Sequence, residues 1–540
     1  MQIEAEDAVL TGVAISTADS GYSGTGYVTG FDTTGDQAEF RFNARYSLYN
    51  ITIGFSTAAK TRGCGLTVNG QASTVILPAT NGRFSEYNRG RIVLREGENT
   101  IIVGKGQGGF NLDYIRIELL TIPPPEPPLE RLSNPDASAS TRALFRFLLD
   151  GYGRRILAGQ QDMTEIQYVL SVTGKSPAIG VFDLIDYSPS RVEHGANPAG
   201  SVESWISWAL GGSGNGIVSL SWHWNAPADL IDVSGREWWR GFYTDATTFN
   251  IASVMSDTSS SRYGLILRDI DAIASELKKL QRADIPVLWR PLHEASGGWF
   301  WWGAKGAEPF RKLWRLMHDR MTRVHGLHNL IWVYTSGATG WYPGDDVVDV
   351  ASLDIYTDQA SNMSAEWEAL KSEFNGRKLM ALSESGTLPV PDRCRLYSTW
   401  WAWFSIWSGS FIRNADRNLL EQVYLDEDVV TLDELPDWRL DFAPSPSGSA
   451  GCKTVSSLDV FPNPSRSSGV TLVIQTVQTA DIRVAVFNAR GRRVADNLYA
   501  GLSPGRNDVE VGGNGWSSGL YLVRLVSGDC VLKRKFVLLR

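Results

Sequence analysis

Over the first 120 residues apolar and polar positions alternate with period two in short runs: AEFRFNA at 38–44, YNITIGF at 49–55 and NTIIVGK at 99–105. Gly, Asn and Asp clusters separate these runs. Strands with one wet and one dry face, spaced by turns, predict an antiparallel β-sandwich. The same reading covers 454–540, where VTLVIQT, IRVAVFN and GLYLVRLV repeat the alternation. Between them, near-continuous apolar runs take turns with helical patterns. The strand candidates are RILAGQQ, SPAIGVF, GIVSLSWHW, PVLWRPLHE, NLIWVYT, VASLDIY, LMALSES and FSIW. RDIDAIASELKKLQ and PFRKLWRLMHDRMTRV, with apolar residues three and four apart, are two of the helices between them. This alternation predicts an α/β domain, a (β/α)8 TIM barrel, flanked by an N-terminal β-sandwich and a small C-terminal β-sandwich.

Two breaks set the boundaries. TIPPPEPPLE is a stiff polyproline spacer and APSPSGSAG has flexible linker composition. The expected modules are 1–120, a spacer at 121–131, the barrel at 132–442, a linker at 443–453, and a C-terminal domain at 454–540.

Composition narrows the partners. A formal net charge of −8 gives no general attraction to nucleic acid or anionic membranes and suits a neutral polymer. No apolar run approaches the roughly 18–20 residues that span a bilayer. The opening MQIEAEDAVL lacks the basic-then-apolar pattern of a secretory signal. Four cysteines, Cys64, Cys394, Cys452 and Cys530, have no metal spacing, and Cys452 and Cys530 could bridge the ends of the last module. Twenty tryptophans are the outlier. Their flat faces suit sugar rings as well as cores.

In a TIM barrel the chemistry sits where strands end. Glu294 falls at the carboxyl end of the fourth strand run and Glu384 at that of the seventh. Two facing carboxyls are the minimum machinery for glycoside hydrolysis: one protonates the leaving oxygen, the other attacks or activates water. His293 and, at the end of the third run, His223 can orient a carboxylate or a sugar hydroxyl. A zinc site from His223, His293 and Glu294 would need the HExxH or cysteine spacing that the chain lacks. Asp354 and Tyr356 end the sixth run, and Tyr356 either bonds the Glu384 carboxylate or packs the barrel mouth.

These residues resemble glycoside hydrolase family 26. The resemblance rests on GQQ, SWHW, RPLHE followed by WFWWG, DIY, SESG and FSIW, and spans nearly the whole middle module. It implies a retaining double displacement with Glu294 as acid/base and Glu384 as nucleophile, and His223, His293, Trp299, Tyr356 and Trp407 lining the subsites. Four tryptophans lie close together around Trp407. The expected activity is a secreted endo-β-1,4-mannanase acting on mannan, galactomannan or glucomannan, without a catalytic cofactor. The same barrel serves β-1,3-1,4-glucanases and β-1,3-xylanases. From a different class, a non-catalytic polysaccharide-binding surface protein is the alternative.

The first module resembles carbohydrate-binding module family 35, through IEAEDA, GYSGTGYV and FNLDYIRIE. Three hard carboxylates, Glu4, Glu6 and Asp113, make a structural calcium site plausible. Asn111 matches the sugar-contacting asparagine of that family, whose ligands are mannans, galactose side chains or uronic acids. The last module resembles the C-terminal sorting domain of type IX secretion cargo, through DVFPNPSRSS, VFNARGRRV, SSGLYLVRLV and KRKFVLLR. That implies export and an extracellular or cell-surface location. A stabilising β domain or a further binding module is the alternative there.

Overall fold

The computed structural model describes all residues except 212–214, 336–337, 339, 443–453, 467–468, 490–491, 514, 529 and 540. The expected linker at 443–453 and Cys452 therefore lie outside the described residues. Cys530 is disulfide-bonded, and Cys64 and Cys394 are buried free thiols.

The chain separates into two compact units, 1–123 and 124–540. In the first, antiparallel strands form a six-stranded and a five-stranded sheet. Their inward-facing residues, such as Phe40, Ile51, Ile53, Phe55, Leu66, Ile101 and Ile115, make one core. That is the sandwich the period-two pattern predicts.

The second unit contains the barrel. Its strands are β1 (Ile156–Gln161), β2 (Ile179–Asp183), β3 (Ile217–Ser221), β4 (Val287–Arg290), β5 (Leu330–Thr335), β6 (Val350–Ile355), β7 (Leu379–Ser385) and β8 (Trp403–Ile406). All pair in parallel in chain order, and β1 pairs with both β8 and β2, closing the barrel. Each of the eight predicted runs is one strand. The sheet is buried on both sides, which is why these strands read as continuous apolar runs instead of alternating.

Helices cover the outside. Helix Ser261–Arg282 begins where the Ser260 side chain caps the Tyr263 amide. It buries Ile266, Ile270, Ile273, Leu277 and Leu280 at three- and four-residue spacing. Helix Ala307–Asp319 likewise buries Phe310, Leu313, Trp314 and Met317, and the predicted helical run then widens into a π-helical turn at Arg320–Val324. There Arg320 pairs with Asp271 on the neighbouring helix, and His325 meets the same carboxylate at 2.6 Å.

Beyond the barrel, Val455–Phe461, Gly469–Thr476 and Gly505–Gly512 form one sheet and the remaining described strands of the C-terminal module a second, four-stranded one. This module is fastened to the last helix of the barrel by charge. Arg524 donates to Asp441 at 2.7 Å with both side chains almost fully buried, and Arg483 reaches Asp437 at 3.2 Å. Burial pulls the Arg524 pKa down and pushes the Asp441 pKa up, so each needs the other to stay charged.

Removing one member of such a buried pair leaves an uncompensated charge, at a cost of about 3–5 kcal/mol. Arg524→Ala is therefore expected to lower the calorimetric melting midpoint of the second unit. Arg524→Met combined with Asp441→Leu should recover most of the loss.

Candidate active site

Four strand ends deliver the charged residues. Arg290 closes β4 and is fully buried in the barrel mouth. It donates to Asp354 Oδ2 and to Glu384 Oε2, both at 2.7 Å. Glu384 owes its position to a bulge: Leu353 pairs with Leu382, but the next pair is Asp354 with Glu384, so Ser383 is the extra residue on β7. A bulge re-aims the side chains that follow it, and Ser383 Oγ then donates to Asp354 Oδ1 at 2.8 Å. Tyr356 Oη donates to the other Glu384 oxygen, so each carboxylate oxygen of Glu384 accepts a hydrogen bond. Of the two roles open to Tyr356, hydrogen bonding is the one observed.

Glu294 arrives differently. The predicted strand run ends early, at Arg290, because Pro291 has no amide to donate to the sheet. Leu292 and Glu294 then take left-handed conformations, φ 50° and 52°. Such residues are costly unless the surroundings impose them, and they concentrate at functional sites. The turn that follows needs its glycines. A Cβ on Gly297 would lie 2.0 Å from the Trp299 ring, and one on Gly303 1.9 Å from the Ala295 carbonyl oxygen. The chain thus folds back on itself and brings the Trp299 indole N–H to Glu294 Oε2 at 2.9 Å.

Of the four aromatics after this turn only Trp299 faces outward, at 48% exposure. Phe300, Trp301 and Trp302 are between 0% and 4% exposed and pack the loop. Trp302 and Trp301 spend their indole N–H groups on the carbonyls of His293 and Trp224. Trp299 is therefore the one aromatic of this run with a face open to solvent.

Carboxylate oxygens of Glu294, Asp354 and Glu384 all lie within 4.8 Å of one another. Burial, with the charge of Glu384 next, raises the Glu294 pKa; burial raises that of Asp354 well above the usual carboxylate range. Arg290 is held above its ordinary value despite burial, by Asp354 and then Glu384. Among the described residues no other trio of His, Cys, Asp or Glu comes this close. A cation here would have to compete with a guanidinium already bonded to two of the three.

The predicted histidines are also here. His223 Nε2 faces His293 Nε2 at 3.1 Å, and His223 Nδ1 pairs with Asp183 Oδ2. These contacts occupy both nitrogens of His223, one of which the zinc reading requires. Trp407 stands beside the His223 ring, centroids 6.0 Å apart, and shares with it, Phe242, Tyr243 and Trp205 a cavity of about 420 Å³. Its neighbours Trp401 and Trp403 are buried in the core.

Three residues of this cluster had no role assigned from sequence: Arg290, Asp354 and Asp183. Asp183 is the last residue of β2, one position beyond the run read as SPAIGVF. The strand-end rule that picked out the glutamates would have reached it had the run been extended. Arg290 stood in plain view inside RPLHE, as a cation within an otherwise apolar buried strand.

The remaining predicted residues lie in the first unit. Asn111 accepts from Thr29 Oγ1 at 2.7 Å and donates to Ser56 Oγ at 3.1 Å. Asp113 accepts from the Ser23 amide, Glu4 from Ser23 Oγ, and Glu6 Oε1 from the Thr25 and Gly26 amides. All three carboxylates thus address one loop, although their oxygens are not drawn within 4.8 Å of one another.

Comparison with known proteins adds the following. The profile described as glycosyl hydrolase family 26 matches residues 133–434. Carbohydrate binding module (family 35) matches 1–120, and secretion system C-terminal sorting domain matches 459–539. A mannan endo-1,4-β-mannosidase of Thermothelomyces thermophilus is 45% identical, over 81% of this chain and 90% of its own. Mannan endo-1,4-β-mannosidase B of a Piromyces species is 32% identical, over 83% and 79%. The crystal structure of a Podospora anserina GH26-CBM35 β-(1,4)-mannanase superposes with a TM-score of 0.77 at 41% identity, covering 81% of this chain and 99% of that one.

The electrostatics of the cluster make a stability prediction. Carboxyls whose folded pKa is raised favour the folded state at low pH and oppose it as pH climbs through that value. Glu384→Gln relieves Glu294 and Asp354 of a like charge. Its melting midpoint should therefore depend less on pH than that of the wild type between the usual carboxylate range and pH 7. Arg290→Met should instead destabilise by about 3–5 kcal/mol at pH 7, because the carboxylates lose their buried counter-charge. Thermal melts of the three proteins across pH decide both.

Proposed function

Because the chain belongs to glycosyl hydrolase family 26, we propose that Glu294 and Glu384 carry out a retaining double displacement on a β-1,4-linked mannan. The enzyme is an endo-1,4-β-mannanase, and its sorting domain marks it for secretion. The observation that carries the mechanism is the separation of the two carboxyls, with oxygens within 4.8 Å. Retaining enzymes hold their carboxyls at about 5–5.5 Å, while inverting ones need about 6.5–9.5 Å to admit a water.

The environments of the two carboxyls support this division of roles. Glu294, with its pKa raised by burial and by Glu384, holds a proton to give to the glycosidic oxygen as the bond to the anomeric carbon breaks. Glu384, oriented by Arg290 and Tyr356, attacks that carbon from the opposite face and forms the glycosyl ester. Glu294, now a carboxylate, then takes a proton from water, whose oxygen displaces Glu384 and restores both groups. Trp299 and Tyr356 offer exposed faces to a sugar chain, His223 and Trp407 line a shared cavity, and His293 backs them as the last of the proposed subsite residues. The sugar itself requires no cofactor for these steps.

On the proposed division into 1–120, 121–131, 132–442, 443–453 and 454–540, a carbohydrate-binding module, with Asn111 as its proposed sugar contact, precedes the enzyme. Tethering the two raises the local substrate concentration. The type IX secretion machinery is the partner proposed for the last module. Calcium is proposed for Glu4, Glu6 and Asp113. Glu6 Oε2 is buried without a hydrogen-bond partner, and burial together with its carboxylate neighbours pushes the Asp113 pKa up to about 6. Both features fit a missing positive charge, and carboxylate oxygens are the donors calcium prefers.

Reducing-sugar release from galactomannan, glucomannan, mixed-linkage glucan and β-1,3-xylan tests the site. Release from the mannans is expected, with Glu384→Ala and Glu294→Ala each losing at least about 10³-fold in kcat, as loss of a nucleophile or general acid entails. Undiminished turnover in Glu384→Ala would sink the assignment. For the metal, added calcium should raise the melting midpoint of the first unit and chelator should reverse it. Glu6→Gln should abolish the response without changing catalysis on short soluble oligosaccharides.

A further inference from the structure

Gln161 is the last residue of β1. It pairs with Val181 of β2, and the Asp162 amide that follows donates to the Val181 carbonyl at 3.0 Å. At Asp162 the chain leaves the sheet with φ 72° and ψ 137°, a conformation that residues bearing a Cβ rarely adopt. The Asp162 carboxylate accepts from the Thr164 amide at 2.9 Å and so caps helix Met163–Thr173. Sheet and cap together fix where the Gln161 side chain departs from the backbone.

That side chain lines the cavity of about 420 Å³ beside Trp205, His223, Phe242, Tyr243 and Trp407. Gln161 is only 6% exposed, and among the described residues its amide has no hydrogen-bond partner at either end. Oε1 is sealed from solvent, while Nε2 is the atom open to the cavity. Among the described residues no other that lines this cavity has a sealed polar atom left unpaired. Asp183, in the same wall, is bonded at both oxygens and His223 at both nitrogens.

An unpaired buried amide forfeits its hydrogen bonds to water, and folded proteins pair almost all such groups. Much of the wall around this one is aromatic. Flat apolar rings suit the C–H faces of a sugar, and a cavity of this size with a few polar groups is the usual form of a small-ligand site. Trp407 joins the cavity to the catalytic pair: its amide donates to the carbonyl of Ser385, next to Glu384, at 2.9 Å.

We propose that Gln161 is a specificity-determining residue of the cleft: its side-chain amide hydrogen-bonds a ring hydroxyl of the sugar unit that fills this cavity, beside the unit being cleaved. Nε2 donates to the hydroxyl oxygen, and a half-turn about the last side-chain torsion presents Oε1 to the hydroxyl proton instead. A sugar with hydrogen in place of that hydroxyl leaves the amide unpaired and is disfavoured. This role for Gln161 rests on the reading of the site as a mannanase cleft.

The test compares the full chain as wild type and as Gln161→Met, a side chain of similar length and volume without a donor. The variant loses no side-chain hydrogen bond within the protein and takes an unpaired amide out of the interior. Its melting midpoint is therefore expected to equal or exceed that of the wild type. On mannopentaose its kcat/KM should fall about 3–10-fold, the worth of one neutral hydrogen bond. The ratio of products should change as well, because losing a contact at one sugar position reweights the registers in which the pentasaccharide lies across the cleft. Gln161→Asn, which draws the amide back by one methylene, should show the same change of products and settles the question if the methionine variant does not fold. An unaltered product ratio overturns the proposal, whatever happens to kcat/KM, and so does a lower melting midpoint in Gln161→Met, which would mark the amide as structural. If the wild type cleaves no mannan, the functional reading itself fails; if it cleaves and the variants match it, only the role of Gln161 fails.

Discussion

A single buried guanidinium makes the cleft possible. Three carboxyls within 4.8 Å of one another repel strongly in a site sheltered from water, and Arg290 is bonded to two of them. Its planar fork can serve Asp354 and Glu384 at once, which the point charge of a lysine could not do with the same geometry. Being buried, it depends on them in turn. The barrel supplies the framework: β4, β6 and β7 end at one rim, so a residue from each reaches the same small volume.

Given that anchor, the two glutamates are set apart by their surroundings. Glu384 lies on a strand, turned by a bulge and held at both oxygens. Glu294 lies on a strained loop, held by one indole N–H and exposed to the repulsion of Glu384. The rigid group suits attack in a fixed direction, and the group with a raised pKa suits delivery of a proton. The buried aromatics after Glu294 take part indirectly: by filling the loop they keep the left-handed turn in place and leave Trp299 exposed.

Much of this was legible in the chain. Buried parallel strands must be apolar on both faces, so eight such runs between amphipathic helices specify the barrel, and the period-two runs on either side specify sandwiches. Glu384 could be read from its place at a strand end, Glu294 from the run that continues past one, and Trp299, Tyr356 and Trp407 from the motifs around them. These are local signals, carried by residues next to one another in sequence.

The rest depends on distance between segments far apart in the chain. That Arg290 bridges residues 64 and 94 positions away, that Asp183 holds His223, and that Phe300, Trp301 and Trp302 face inward while Trp299 faces out are all outcomes of barrel closure. Composition and spacing constrain which side chains are available, but hydrogen bonds and Coulomb interactions act over a few ångströms. Only the tertiary structure sets which charges come that close, and with it which carboxyl keeps its proton.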